Sequence, residues 1–263
     1  MGDKVLAIRY EGAVQQDFKR VMHKGVNPKG GLAYELFVKA DALRLNNLHK
    51  EAVKEYLNSI LVDRNNPKAY YGLGIAYKHL RLYDKAIDAL ERAKALSLFD
   101  ANIHYELGIC YLISGVFCNA IKCFVNSIKL NPGNIDVQIQ LAIAHEMIEE
   151  EDMALMIYQK IIETSPSFLR AYAQKAALYM NLGEYMQSAQ VFRKILKINP
   201  DYYRAYLGIG ICYDKLERKV DAVRYYKRFL ELKPRSKNAQ DVKKRLAAIK
   251  NEHSARESCL RVV

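Results

Sequence analysis

No run of 18 or more apolar residues occurs in the 263-residue chain, so no segment reads as a membrane-spanning helix. The first residues, MGDKVLAIRYEGAVQQDF, lack the form of a secretion signal, because Arg9 and Glu11 interrupt the apolar stretch. Leu6 stands where a myristoylation signal after Gly2 requires Ser or Thr. The five cysteines (Cys110, Cys118, Cys123, Cys212, Cys259) form no C-x-x-C pair, and their odd number argues against a disulfide framework. A reduced, cytoplasmic setting is the expectation. Phosphate-cradling, nucleophile-elbow and H-E-x-x-H motifs are missing. Nothing therefore implies a cofactor, a metal or a catalytic residue, and the expectation is a protein that is not an enzyme.

What is present is a period. Written in rows of 34 starting at Ala33, Pro67, Ala101, Ile135, Leu169 and Tyr203, the chain aligns without a gap. Position 20 reads Ala52, Ala86, Ala120, Ala154, Ser188, Ala222, and position 8 reads Ala40, Gly74, Gly108, Ala142, Ala176, Gly210. Position 24 is always large: Tyr56, Leu90, Phe124, Tyr158, Phe192, Tyr226. Position 32 is proline in the last four rows: Pro132, Pro166, Pro200 and Pro234. Within a row, apolar residues recur at helical spacing, as in Tyr70, Leu73, Tyr77 and then Ala86, Leu90, Ala93. Each row thus predicts two short amphipathic helices. The small columns permit close helix approach, and the large columns fill the space between layers. Asn47, Gly115 and Gly183 at position 15 suit the left-handed conformation that ends a helix. One row cannot bury its own apolar face, so rows must stack.

These columns resemble the tetratricopeptide repeat. The likeness spans six repeats: 33–66, 67–100, 101–134, 135–168, 169–202 and 203–236. It implies an all-α, right-handed superhelical solenoid of antiparallel helix pairs whose first helices line a concave face. The chain ends complete the plan. Val14, Phe18, Val21 and Met22 share helical spacing and predict a capping helix over 12–24, within an N-terminal segment 1–32. Val5–Tyr10 has no assignment. A C-terminal capping helix is expected over 237–250, with Ala239, Val242, Leu246 and Ile249 on one stripe. Residues 251–263 read as a flexible tail.

The pattern is weakest in the fourth row, with Gln138, His145 and the acidic run Glu149-Glu150-Glu151-Asp152 at its inter-helix turn. That run reads as an exposed turn, a flexible joint or a contact for a basic partner. His104 and Cys110 are six residues apart, but they occupy positions 4 and 10, which face the packed interior. Most tyrosines fill packing columns, which accounts for them better than base stacking does.

In this family, positions 2, 5, 6, 9, 12 and 13 of the first helix meet the ligand. The resemblance therefore implies a groove of Phe37, Tyr71, Ile75, Tyr105, Ile109, Leu112, Ile139 and Ile143, with Leu45, Ile113, Met147 and Met180 beside it. The Lys and Asn residues of the carboxylate-clamp members are missing from positions 5, 6 and 9, and so is the asparagine ladder of other members. The expected ligand is an apolar peptide or amphipathic helix of a protein partner. Burial of position-9 isoleucines between repeats, or occupation of the groove by Val5–Tyr10 or the C-terminal tail, are the competing expectations. Charge suggests a second surface. The net charge is +12, and residues 203–263 hold 16 Lys and Arg against 7 Asp and Glu. Arg224, Lys227, Arg228, Lys233, Arg235, Lys237, Lys243, Lys244 and Arg245 form a basic end that could bind RNA or another anionic surface.

Overall fold

The computed structural model describes residues 28–260 apart from Leu98. The capping helix expected over 12–24 and the Val5–Tyr10 stretch lie outside the described residues. Those residues form thirteen α-helices and no strand. They are α1 (Pro28–Leu45), α2 (His49–Val62), α3 (Pro67–His79), α4 (Tyr83–Leu96), α5 (Ala101–Ile113), α6 (Phe117–Leu130) and α7 (Ile135–Glu146). They continue as α8 (Glu151–Thr164), α9 (Leu169–Asn181), α10 (Tyr185–Ile198), α11 (Tyr203–Lys215), α12 (Lys219–Leu232) and α13 (Ala239–Leu260). Each 34-residue row holds one odd and one even helix, and α13 follows the last row.

The chain divides into two compact units, 1–148 and 149–263. The boundary falls inside the fourth row, at the acidic turn. In the first unit α1 packs on α2, α3 on α4 and α5 on α6. Each even helix then packs on the next odd one. In the second unit the same zigzag joins α8, α9, α10, α11, α12 and α13 in turn.

Column chemistry explains this packing. All six position-20 side chains are fully buried. Ser188, the one hydroxyl there, donates to the Ala176 carbonyl at 2.8 Å, so its burial leaves no polar group unmet. Position 24 fills the interior with Tyr56, Leu90, Phe124 and Tyr158, each fully buried. The position-8 glycines make room for those rings. A Cβ on Gly108 would sit 2.5 Å from the Phe124 ring, and one on Gly210 would sit 2.6 Å from Tyr226.

Position 15 takes a positive φ in every row: Asn47, Arg81, Gly115, Glu149, Gly183 and Glu217. The N–H that follows then returns to a carbonyl five residues back, as from Leu82 to Tyr77 and from Val116 to Tyr111. This closes the first helix of each pair against its orphaned carbonyls. Prolines end the second helices of the later rows because they lack an N–H.

The C-terminal reading needs one correction. The last helix does not stop at 250 but runs to Leu260, so residues 251–260 are helical rather than a loose tail. Its sequence there, NEHSARESCL, contains no Gly or Pro to break the helix. Among the described residues no helix is long and apolar enough to cross a membrane.

Candidate functional site: the inner face of the first helices

In the first unit α1, α3, α5 and α7 touch in succession. Second helices show no comparable neighbour contact among the described residues. The first helices therefore form the inner side of this stack, and their positions 5, 9, 12 and 13 face one another along it.

Position 5 carries large rings set at a slant. Phe37 lies 6.2 Å from Tyr56, and Tyr105 lies 6.3 Å from Phe124, both tilted. One edge of each ring thus rests on the position-24 ring of its own repeat and the rest stays open. Phe37, Tyr71, Tyr105, Ile109, Leu112 and Ile143 are half-buried. Two expected groove residues are not available. Ile139 is fully buried and Ile75 only 6% exposed. Isoleucine at position 5 is shorter than the rings of earlier rows and stays within the packing. Position 9 lies on the flank where neighbouring first helices meet, which hides Ile75. Position 13 compensates: Leu45, Ile113 and Met147 are each about half exposed, at 51%, 52% and 50%.

Four charged groups on this face are matched in two pairs. Asp41 accepts from Arg44 at 2.6 Å and from the Tyr56 hydroxyl at 2.8 Å. Lys78 pairs with Glu106 of the next repeat. Tyr71 is pushed up to about 12 by burial and by the nearby Glu106 and Asp100 carboxylates, so its hydroxyl stays neutral and able to donate. His79 continues the position-13 rim, stacked 4.4 Å from His49. Burial, then His49 and Lys78, lower the pKa of His79 and so disfavour a charge on its ring. Sequence reasoning missed the Lys78–Glu106 pair. Its signal was a cation at position 12 followed by an anion at position 6 of the next row.

The second unit presents a different face. Its first helices carry Arg170 and Arg204 exposed at position 2; positions 5 and 9 are Ala173 and Ala177 in the fifth row and half-buried Leu207 and Ile211 in the sixth. Met180 is half-buried. Of the expected basic end, two residues are engaged within the fold. Arg245 donates to Asp214 at 2.7 and 2.8 Å, and Arg228 bonds Glu231 at 2.8 Å. Arg224, Lys227, Lys233, Arg235, Lys237, Lys243 and Lys244 are exposed. Aromatic rings lie among these cations. Lys233 sits 5.3 Å over Tyr203 and Arg228 5.9 Å over Tyr206.

Two buried thiols are not poised for chemistry. Cys110 and Cys123 are pushed up to about 11 by burial, the reverse of what a nucleophile needs. Among the described residues no three His, Cys, Asp or Glu side chains gather as metal ligands.

A family model for the tetratricopeptide repeat matches residues 37–101 and 174–237. Among solved structures, a crystal structure of MamA is 25% identical with a TM-score of 0.57, covering 66% of this chain and 94% of its own. A Cytophaga hutchinsonii TPR protein is 20% identical with a TM-score of 0.68, covering 75% and 79%. YrrB, described as a TPR protein with an unusual peptide-binding site, is 18% identical with a TM-score of 0.55, covering 72% and 97%. No curated protein matches the chain in sequence. With six gapless rows, a helix pair in each and these matches, the chain belongs to the tetratricopeptide-repeat family.

Proposed function

We propose that the protein is a non-enzymatic scaffold whose first unit binds an apolar peptide, or the apolar face of an amphipathic helix, from a partner protein. The tetratricopeptide fold supports a protein–protein interaction scaffold. The observation that carries the finer reading is the row of half-open apolar side chains beside two matched charge pairs. Asp41 with Arg44, and Lys78 with Glu106, are matched within the fold, so these four charges do not call for a charged ligand. Between and beside these pairs stand Phe37, Tyr71, Tyr105, Ile109, Leu112 and Ile143, with Leu45, Ile113 and Met147 on the rim. Burying one such side chain contributes roughly 1.5–3 kcal/mol, and association costs on the order of 4–15 kcal/mol. Four to six anchors therefore suffice, even without Ile75 and Ile139. The peptide-binding description of YrrB points the same way at the level of the fold.

Peptide display against the full chain, followed by fluorescence anisotropy of the recovered peptides, tests this reading. Tyr105→Asp with Leu112→Asp should weaken binding about 100-fold, since two lost anchors at roughly 1.4 kcal/mol each multiply. Circular dichroism of the variant checks that the helices persist. Unchanged affinity in a folded variant contradicts the proposal.

A second reading attaches to the other unit. The exposed cations around Tyr203 and Tyr206 suit an anionic partner such as RNA. Such binding would fall steeply with salt, and an absence of RNA binding at low salt would remove this reading.

A further inference from the structure

The second repeat departs from its siblings at two positions outside the columns assigned to the inner face. Position 23 of the six rows reads Glu55, Ala89, Cys123, Ile157, Val191 and Tyr225. In the sixth repeat Tyr225 fills the space between positions 4 and 11, its ring 6.3 Å from Tyr206 and 5.7 Å from Tyr213. In the second repeat the same walls are present as Tyr70 and Tyr77, but the filler is the smallest in the column, Ala89. The result is an open cavity of about 620 Å³ floored by Leu73 and Ala89. Arg92 stands on its rim, at the position where Arg228 lies over Tyr206 in the sixth repeat. The molecule itself thus shows what this space accepts: an aromatic ring between two tyrosines, beside a guanidinium.

The second departure is a ring with nowhere to go. Position 33 reads Asn65, Phe99, Gly133, Ser167, Asp201 and Arg235, small or polar in every row but one. Phe99 is 86% exposed, the most exposed large apolar side chain among the described residues. The cavity runs along the helix pair from Tyr77 and Lys85 to Tyr70 and Ala95, and the chain that leaves its Tyr70–Ala95 end carries Phe99. Tyr70 is in the first turn of α3, Ala95 of the cavity wall is in the last turn of α4, and Phe99 follows α4 directly.

We propose that the second repeat is a self-association site, in which Phe99 of one copy enters the Tyr70–Tyr77 cavity of a second copy while receiving that copy's Phe99 in return. A knob and a hole carried by one repeat are what a two-fold, isologous contact requires, because each copy must offer both. Reciprocity counts each ring twice, which lets a small patch hold two chains weakly. The pairing leaves the inner face of the first helices free for a ligand.

Sedimentation velocity on the full chain, from about 1 µM to about 500 µM, reads the association. The wild type should pass from monomer to dimer across this range. Phe99→Ser changes an exposed residue and should weaken pairing at least tenfold. Ala89→Tyr fills the cavity as Tyr225 does and should weaken it as much. Should Ala89→Tyr lose its helical circular dichroism, Ala95→Glu blocks the mouth from an exposed helix position instead. Mixing the Phe99 and Ala89 variants restores one intact knob and hole, so the mixture should pair better than either alone. A wild type that stays monomeric overturns the proposal. So does pairing that survives both substitutions, or pairing lost instead with Tyr105→Asp, which would place the interface on the inner face. A monomer whose melting temperature falls on Phe99→Ser also overturns it, because the ring would then enter its own cavity.

Discussion

The two units are written in one 34-residue register, and their interiors are nearly interchangeable. Position 20 is fully buried throughout, position 24 fills both interiors, and a position-8 glycine faces a ring in each. Their surfaces diverge. The first unit matches Asp41 with Arg44 and Lys78 with Glu106, and sets Phe37, Tyr71 and Tyr105 at position 5. The second has Ala173 and Leu207 at that position and gathers exposed cations at its end. Even the helix starts differ. Asn66, Asp100 and Asn134 cap first helices of the opening repeats, whereas Phe168 and Tyr202 at the same position make no side-chain cap. The lesson is that packing columns define the repeat, while the columns that face solvent are free to carry function.

The largest test of that shared interior is over-packing. Gly108→Val drives a branched side chain into the Phe124 ring and should cost about 3 kcal/mol. Gly210→Val does the same against Tyr226. Because repeat stability is a sum of local and nearest-neighbour terms, each should loosen its own unit first. Hydrogen exchange resolved by segment reads which unit loses protection. Equal loss in both units from either change would show that they do not behave as separate bodies.

Next in size is the clamp of the second unit. Asp214 accepts from Arg245 of the last helix, from Lys219 and from Tyr226. The Arg245 guanidinium above all, then Lys219, holds its carboxyl down at about 2. Asp214→Asn should cost about 2 kcal/mol and free the last helix, read by urea denaturation. The pH dependence follows from the depressed value. An unfolded aspartate titrates near 3.9. The contribution is therefore fully present above about pH 4 and is lost as pH falls toward 2. Stability of the Asn variant should lack that portion of the acid dependence.

Smaller is the difference in capping. Asn66→Ala removes an acceptor for the Lys68 and Ala69 N–H groups and should destabilise the first unit by about 1 kcal/mol. Tyr202→Ala loses no such bond. A matched loss from both would mean that the cap contributes nothing. Smallest is relief at the inter-helix turns. Arg81→Gly and Glu217→Gly remove a side chain from a positive φ and should stabilise by about 0.5–1 kcal/mol. Scanning calorimetry should show a rise of roughly 2–4 °C per kcal/mol.

The repeat was legible because its columns are set by packing, which tolerates few residue types. The turn conformation was legible in half the rows. Asn47, Gly115 and Gly183 announce a left-handed residue, but Arg81, Glu149 and Glu217 adopt it because the surrounding helices demand it. The exposure of the expected groove residues was not legible from position. Position left open whether a position-9 isoleucine such as Ile75 would be hidden, and it did not tell that Ile139 would be or that the position-13 rim would stand half open. Those outcomes depend on side-chain reach and on how closely neighbouring first helices approach. The Asp214–Arg245 clamp joins residues 31 apart and gave no local signal. The length of the last helix was missed because a polar stretch without Gly or Pro reads equally well as tail or helix.

The central claim is that the ligand lies on the inner face of the first unit. Its most direct measurement is photo-crosslinking of a display-selected peptide from a benzophenone side chain placed at Ile113 or, in the second unit, at Lys215. Both are exposed at position 13 of their repeats. Adducts from Ile113 and none from Lys215 are the predicted result. Adducts from Lys215 alone would contradict the account.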